Sequence, residues 1–336
     1  MRLSRTLRFA PLLFTHKLTG VGLLLTRRCN LACDYCQVIR SGAPTTLTPS
    51  QWNRIIDRFV QHRHRHFVLT GGEPLLYDGV DEVIRHASRK ALVSLITNGT
   101  LLTPETLERL AGLDFLTISF DTLSRDLPGA KNRLPDIRDM VREAADRSGF
   151  SISTITTITR RNLREAPAII EWVLAAGFTA MVSVIHAGKT GNVSTHEFRR
   201  PLGHQNAIPE EDRALVRETT SRLLALKDRY PNFAESREFI RGIPDFLEGR
   251  FQMPCHAGDA YMEVNNDGTI MACHDTAPSD VSALTFTDYR EMQRRVREKI
   301  PPNCTCYYNC SYNYALLRDH PLRHTLRLVR QRLADR

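Results

Sequence analysis

Residues 27–36 read RRCNLACDYC. Cys29, Cys33 and Cys36 fall within eight residues, and the next cysteine is Cys255. A closed structural zinc site uses four protein donors, commonly as two spaced pairs. On a four-iron cube, three thiolates leave one iron without a protein donor, open to a ligand. With eight cysteines among 336 residues, the chance that two others stand at +4 and +7 of any one is roughly one in two hundred. Zinc completed by His62, His64 or His66 is the alternative use of the triplet. The sequence on either side decides between them.

Downstream, short apolar runs alternate with helix-period stretches. The runs are VGLLLT (21–26), HFVLTG (66–71), ALVSLIT (91–97), FLTISF (115–120), SISTITTIT (151–159) and MVSVIH (181–186). They are rich in β-branched and aromatic residues and often apolar on consecutive positions, as parallel strands covered on both faces are. Between the first two, Thr48, Pro49 and Gln51 form a helix start with a capping box. Trp52, Ile55, Ile56, Phe59 and Val60 then repeat as one buried stripe. Thr103-Pro104-Glu105 opens another helix, and further helices fit 79–89, 134–147 and 164–176, the last capped by Asn162 and Glu165. Six strand–helix units predict parallel βαβ crossovers. They are too few for a closed eight-fold barrel, so the expected fold is α/β, a partial (βα)6 barrel. In such folds chemistry gathers at the carboxyl ends of the strands. The unusual residues fall there: Cys29 after the first run, Gly71-Gly72-Glu73-Pro74 after the second, Thr97-Asn98-Gly99 after the third, and Ser119 and Asp121 at the fourth.

Taken together, CNLACDYC, TGGEPLL, ITNGTLL and SFD resemble the radical S-adenosylmethionine (radical SAM) enzymes over roughly residues 20–190. The resemblance implies that Cys29, Cys33 and Cys36 hold a 4Fe-4S cluster whose free iron chelates S-adenosylmethionine. One electron from the cluster then cleaves the sulfonium, and the 5′-deoxyadenosyl radical takes hydrogen from a substrate C–H bond. It places Tyr35 near the adenine and lets backbone approach the methionine amino group at Gly71 and Gly72. Glu73 is then an acceptor near that cation, and Pro74 a stiffener of its loop. Thr97 and Asn98 face the ribose or carboxylate, Ser119 and Asp121 close the polar wall, and Arg125 meets the carboxylate.

Five further cysteines stand at 255, 273, 304, 306 and 310. AYMEVNNDGTIMAC (260–273) reads as strand, turn at Asn266-Asp267-Gly268, and strand, which folds Cys255 and Cys273 toward one point. The C-x12-G-x4-C spacing resembles the auxiliary-cluster extension called SPASM, or its shorter relative twitch. That resemblance implies one auxiliary 4Fe-4S cluster on Cys255, Cys273, Cys306 and Cys310, with Cys304 able to replace one of them. A four-thiolate zinc site is the alternative. Tyr307, Tyr308, Tyr312 and Tyr314 either line a substrate cavity or pack around these ligands.

The expected organisation is a basic segment over 1–19, the partial barrel over 20–229, and an auxiliary Fe–S domain over 230–336 ending in a basic helix. Net charge is +9, and the two basic ends fit a peripheral membrane surface, an acidic partner, or simple docking on the domain. Nucleic acid is not the expected partner, since no added RNA-binding segment is present. No apolar run is long enough to span a bilayer and no secretory signal is recognisable, so the expected location is cytoplasmic. The expected substrate is a peptide or protein, with a small metabolite or lipid as the alternative. A non-catalytic metal-binding module is the competing class. Twenty-eight residues precede Cys29, fewer than a separate leader-binding domain takes, so a peptide substrate is expected to need a partner protein or a leader read by the core. An external electron donor such as flavodoxin or ferredoxin is also implied.

Overall fold

The computed structural model describes residues 19–36, 38, 46–125, 131–186, 204–251, 255–301, 304, 306–308, 312–315 and 319. The two basic termini, Cys310 and most of the 188–209 loop lie outside them.

Six parallel strands follow one another in the sheet: β1 (Gly20–Thr26), β2 (His66–Gly71), β3 (Leu92–Thr97), β4 (Phe115–Ser119), β5 (Ser151–Ile158) and β6 (Thr179–Val184). Between them run α1 (Pro49–Gln61), α2 (Val80–Ser88), α3 (Pro104–Arg109), α4 (Leu134–Ser148) and α5 (Ala166–Ala175). The capping box at Thr48 and Gln51 is present, and Trp52, Ile55, Ile56 and Phe59 are fully buried. Those side chains join the outward residues of the strands, such as Val21, Leu23, Phe67, Leu69, Val93 and Leu95, in one core between sheet and helices. Along β5, buried residues alternate with partly exposed Ser151, Ser153, Ile155 and Thr157, the period-2 signature of a strand with one packed and one open face.

The cap expected at Asn162 is used differently. The Asn162 amide donates to the carbonyls of Asp121 (2.9 Å) and Thr157 (3.0 Å), and the Glu165 carboxylate accepts from Thr122 Oγ1 and Leu123 N. Both side chains hold the segment after β4, and α5 begins at Ala166 without a side-chain cap.

Beyond β6 come α6 (Arg213–Arg229), α7 (Arg237–Arg241) and α8 (Ile243–Leu247). The expected hairpin follows as β7 (Tyr261–Val264) and β8 (Ile270–Met271), with Gly268 N donating to Asn265 O in its turn. Then comes α9 (Tyr289–Arg297). Strand β7 pairs in parallel with β1, Gly20 opposite Tyr261, so the sheet order is β6-β5-β4-β3-β2-β1-β7-β8. The sheet thus runs across the expected boundary at 229/230.

The described residues of the cysteine-bearing segment near the C-terminus touch the sheet at the end of β6 and at the starts of β2 and β7. Its Tyr307 N–H donates to Nε2 of His186, two residues past β6 (2.9 Å), and the Tyr308 ring stacks on the same imidazole at 3.8 Å. Farther on, Tyr314 bonds Nδ1 of His66 at the start of β2 (2.7 Å) and stacks on Tyr261 at the start of β7. Tyr307 is fully buried against Phe239 and Phe246, and Tyr312 packs on Phe239. Tyr307 and Tyr314 are buried, while Tyr308 and Tyr312 stay partly exposed. Among the described residues no helix is long and apolar enough to cross a membrane.

The histidines of the zinc alternative are occupied elsewhere. His64 bonds the Tyr289 hydroxyl, His62 stacks on the same ring, and His66 lies between Tyr314 and Ser94. His66 pairs with Gly20, at the opposite end of β1 from the cysteine loop, so these rings do not complete a site with it. Burial lowers the His64 pKa to about 3 and that of His66 to about 4. In an unfolded chain both titrate near 6.5. Their contribution to stability is therefore full above that value and is lost as pH falls. Going from pH 7 to pH 5 is expected to cost about 3 kcal/mol, read as a falling urea midpoint. A midpoint that holds constant over that range contradicts the assignment.

Candidate active site

The cysteine loop leaves the carboxyl end of β1 and is bonded from around the sheet. After β2, Gly72 N donates to Thr26 O (2.7 Å) and Glu73 N to Arg28 O (2.8 Å). After β3, Asn98 donates to Asn30 Oδ1 (2.9 Å) and approaches Cys29 Sγ at 3.9 Å. After β4, Asp121 accepts from the Tyr35 hydroxyl. After β5, Arg161 pairs with Asp34 at 3.0 Å; Gln205 and Asn206, before α6, both donate to that carboxylate at 2.7 Å. After β7, Asn265 and Asn266 accept from the Arg27 guanidinium at 3.0 Å.

Around this loop stand the residues expected to meet the cofactor. At Gly71, φ is +144°, and a Cβ there would run into the Thr26 carbonyl; at Gly72 it would meet the Arg28 carbonyl. The cysteine loop that passes there leaves no room for a side chain at either position. The Glu73 carboxylate is fully buried and already accepts from Leu75 N (3.1 Å), Thr97 Oγ1 (2.8 Å) and Asn98 N (2.8 Å). Burial raises its pKa, and those three bonds oppose the rise. It ties the second strand tip to the third. Pro74 starts a short 3-10 turn beside it. Thr97 donates to Glu73, and Asn98 bonds Asn30 and Thr100. Ser119 is buried at the end of β4. Arg125 is exposed and paired with Asp136.

Lys131, Asp34, Asn30 and His186 were not singled out from the sequence. Lys131 Nζ lies 3.7 Å from Asp121 Oδ2 and 5.1 Å from the centre of the Tyr35 ring. Burial opposes its charge, but Tyr35, Asp121 and Cys33 outweigh that and hold its pKa well above the usual lysine range. Asp34 had a local signal, a charge inside the cysteine loop. Lys131 had none.

The three thiols lie within electrostatic reach of one another. Cys29, Cys33 and Cys36 are all half-buried. A charge on Cys36 raises the pKa of both others, so the sulfurs share one neighbourhood. Burial pushes Cys33 up to about 11, with Lys131 pulling the other way. Cys29 Sγ accepts from Leu31 N at 3.4 Å, the kind of bond that supports a ligating thiolate. The second group behaves alike. Burial raises Cys273 and Cys306; Cys304 and Asp275 add to both, and Cys255 adds to Cys306. Among the described residues, then, Cys273, Cys304 and Cys306 lie within electrostatic reach of one another, and Cys255 within reach of Cys306, while no three or more His, Cys, Asp or Glu side chains stand close enough together to hold a metal ion. Tyr308 donates to Asp275 beside them at 2.9 Å.

Residues 23–173 match the family model described as the radical SAM superfamily. Over 216 residues the chain is 31% identical to the AdoMet-dependent heme synthase of Methanosarcina barkeri, covering 58% of this chain and 60% of that protein. Over 297 residues it is 26% identical to the PqqA peptide cyclase of Granulibacter bethesdensis, covering 81% of this chain and 71% of that one. In fold it is similar to SuiB of Streptococcus suis, solved bound to S-adenosylmethionine. The TM-score is 0.61 at 15% identity, covering 94% of this chain and 72% of that chain. The parallel sheet, the cysteine loop at its carboxyl edge and these matches agree in assigning residues 23–173 to the radical SAM superfamily.

Proposed function

We propose that this chain is a radical SAM enzyme that modifies a peptide or protein, with an auxiliary 4Fe-4S cluster beside its barrel. What supports this reading is the cysteine loop, tied to the strand tips around the sheet, with a second set of cysteines carried by the segments around β7 and β8 and near the C-terminus. Cys29, Cys33 and Cys36 hold the first cluster, and Cys255, Cys273, Cys304 and Cys306 are the described donors for the second; Cys310 also belongs to that segment. When bound, the first cluster supplies one electron to S-adenosylmethionine, which is thereby cleaved to a radical that takes hydrogen from substrate. The protein's own part is placement. Glu73 fixes Asn98, Asn98 fixes Asn30, and Asp121 fixes Tyr35, so the loop is set before any ligand arrives. The backbone of Gly71–Glu73, Tyr35, and Ser119 with Asp121 are the proposed cofactor surroundings.

A peptide is favoured because the alignment with the PqqA peptide cyclase covers 81% of the chain and so reaches into the second cysteine group. The similarity to a heme synthase, at 31% identity, supports tailoring of a small metabolite as the second reading. The test is anaerobic reconstitution followed by S-adenosylmethionine and dithionite, with flavodoxin or ferredoxin as the proposed donor in the cytoplasm. About eight irons per chain and release of 5′-deoxyadenosine support the reading. Zinc without iron refutes it and leaves a metal-stabilised binding module. Short peptides encoded beside the gene, compared with small-molecule candidates, then decide the substrate class by the product's mass change.

A further inference from the structure

We propose that the turn between β7 and β8 is the seat of the cysteine loop, and that Arg27 is the positioning residue that couples this loop to the second set of cysteines. The contacts stand by themselves; their consequence for S-adenosylmethionine rests on the cluster reading of Cys29, Cys33 and Cys36.

The chain between β1 and α1 meets this turn at both of its ends. At the start, two residues before Cys29, the Arg27 guanidinium donates from Nε to Asn266 Oδ1 and from Nη2 to Asn265 Oδ1, both at 3.0 Å. At the finish, just ahead of the α1 cap, Leu47 N donates to Asn266 O at 3.0 Å. The Leu47 side chain is buried beside Gly268, where a Cβ would stand 3.6 Å from its Cδ1. The turn is held internally as well. Asn265 and Asn266 are buried; Asn265 N donates to Thr269 O, Asn266 N to Asn265 Oδ1, and Thr269 N and Oγ1 to Asp267 Oδ1. Ala283 N donates to Gly268 O and fastens the turn to the segment beyond β8. A fixed acceptor pair of this kind sets the loop without first having to order itself. From the turn, β8 (Ile270–Met271) leads in two further residues to Cys273. A shift at Cys273 therefore reaches Arg27 through one short strand and one braced turn. The planar guanidinium offers its two donors in a fixed fork to two neighbouring amide oxygens, a geometry that a flexible ammonium does not hold. On its other side the loop is met by Gly72 N at Thr26 O and by Glu73 N at Arg28 O, the residues flanking Arg27. Loosening Arg27 thus loosens both of those bonds.

The experiment uses the full, anaerobically reconstituted chain with two readouts: hydrogen exchange at the Gly72 and Glu73 amides, and S-adenosylmethionine binding by equilibrium dialysis. For Arg27→Met, exchange at those amides is expected to quicken, and binding to weaken, each about fivefold, the lower end of a coupling between sites. Arg27→Lys is expected to stay close to Arg27→Met. Cys273→Ala is expected to weaken binding where Arg27 is present and to add nothing to Arg27→Met, since the path is then already cut. Unchanged exchange in Arg27→Met overturns the proposal. So does a Cys273→Ala effect of the same size in both backgrounds, which would make the two cysteine sets independent. Arg27→Lys at the wild-type level overturns it too, leaving a charge and no fork. If Arg27→Met does not fold, Asn266→Ala takes its place with the same expectations, because it removes an acceptor of the fork and keeps the Arg27 charge. A wild-type chain that takes up no iron, or binds no S-adenosylmethionine, fails the cluster reading instead, and the exchange comparison then decides the seat alone.

Discussion

With Cys29, Cys33 and Cys36 all changed to alanine, cleavage of S-adenosylmethionine should fall to the background of a reaction without protein, while the fold persists. The loop's ties to the sheet run through other atoms: the backbones of Thr26 and Arg28, and the side chains of Asn30, Asp34 and Tyr35. Removing three half-buried sulfurs leaves those bonds in place. Iron should drop from about eight to about four per chain, the remainder belonging to the auxiliary group. Iron analysis, 5′-deoxyadenosine release and far-UV circular dichroism are the measurements. Residual release well above background would show that the electron reaches the cofactor from elsewhere.

The second large effect lies at Glu73. Alanine there strands three buried donors at once, Leu75 N, Thr97 Oγ1 and Asn98 N. Each unpaired buried donor costs about 1–3 kcal/mol, so a loss of about 3 kcal/mol or more in unfolding free energy is expected. The damage should spread to metal retention, because Asn98 also holds Asn30 inside the cysteine loop. Glu73→Gln should recover only part of it, since its amide nitrogen must face a donor. Denaturant titration and the rate of iron loss to a chelator measure both effects. A Glu73→Ala protein as stable as the parent would mean that the carboxylate is not the knot between the two strand tips.

The strands were legible because each is a short apolar run with its own boundaries. Helix α1 was legible because Thr48, Pro49, Gln51 and the Trp52–Phe59 stripe carry its start and its buried face locally. The positions of the site residues were legible too, since parallel strands put successive tips at one edge. Their roles were less so. Glu73, Thr97 and Asn98 read as ligand contacts, and the bonds that their polar atoms also make to one another and to the cysteine loop were not foreseen. Whether a polar atom faces a ligand or another loop depends on the distance between tips, which motif spacing does not contain. Lys131 escaped notice because its partners, Tyr35 and Asp121, come from two other segments. His186 stood at the end of an apolar run, and its role came from the Tyr307–Tyr308 segment.

The parallel pairing of β1 with β7 matters during synthesis on the ribosome. Gly20 must wait for Tyr261, 241 residues later (261 − 20). At about 5–20 residues per second, that is roughly ten to fifty seconds during which one edge of a very apolar strand has no neighbour in the nascent chain. Translation speed and chaperone supply should therefore govern the yield of soluble protein more than the stability of the finished molecule does, and a slower or colder expression host is the place to look for that dependence.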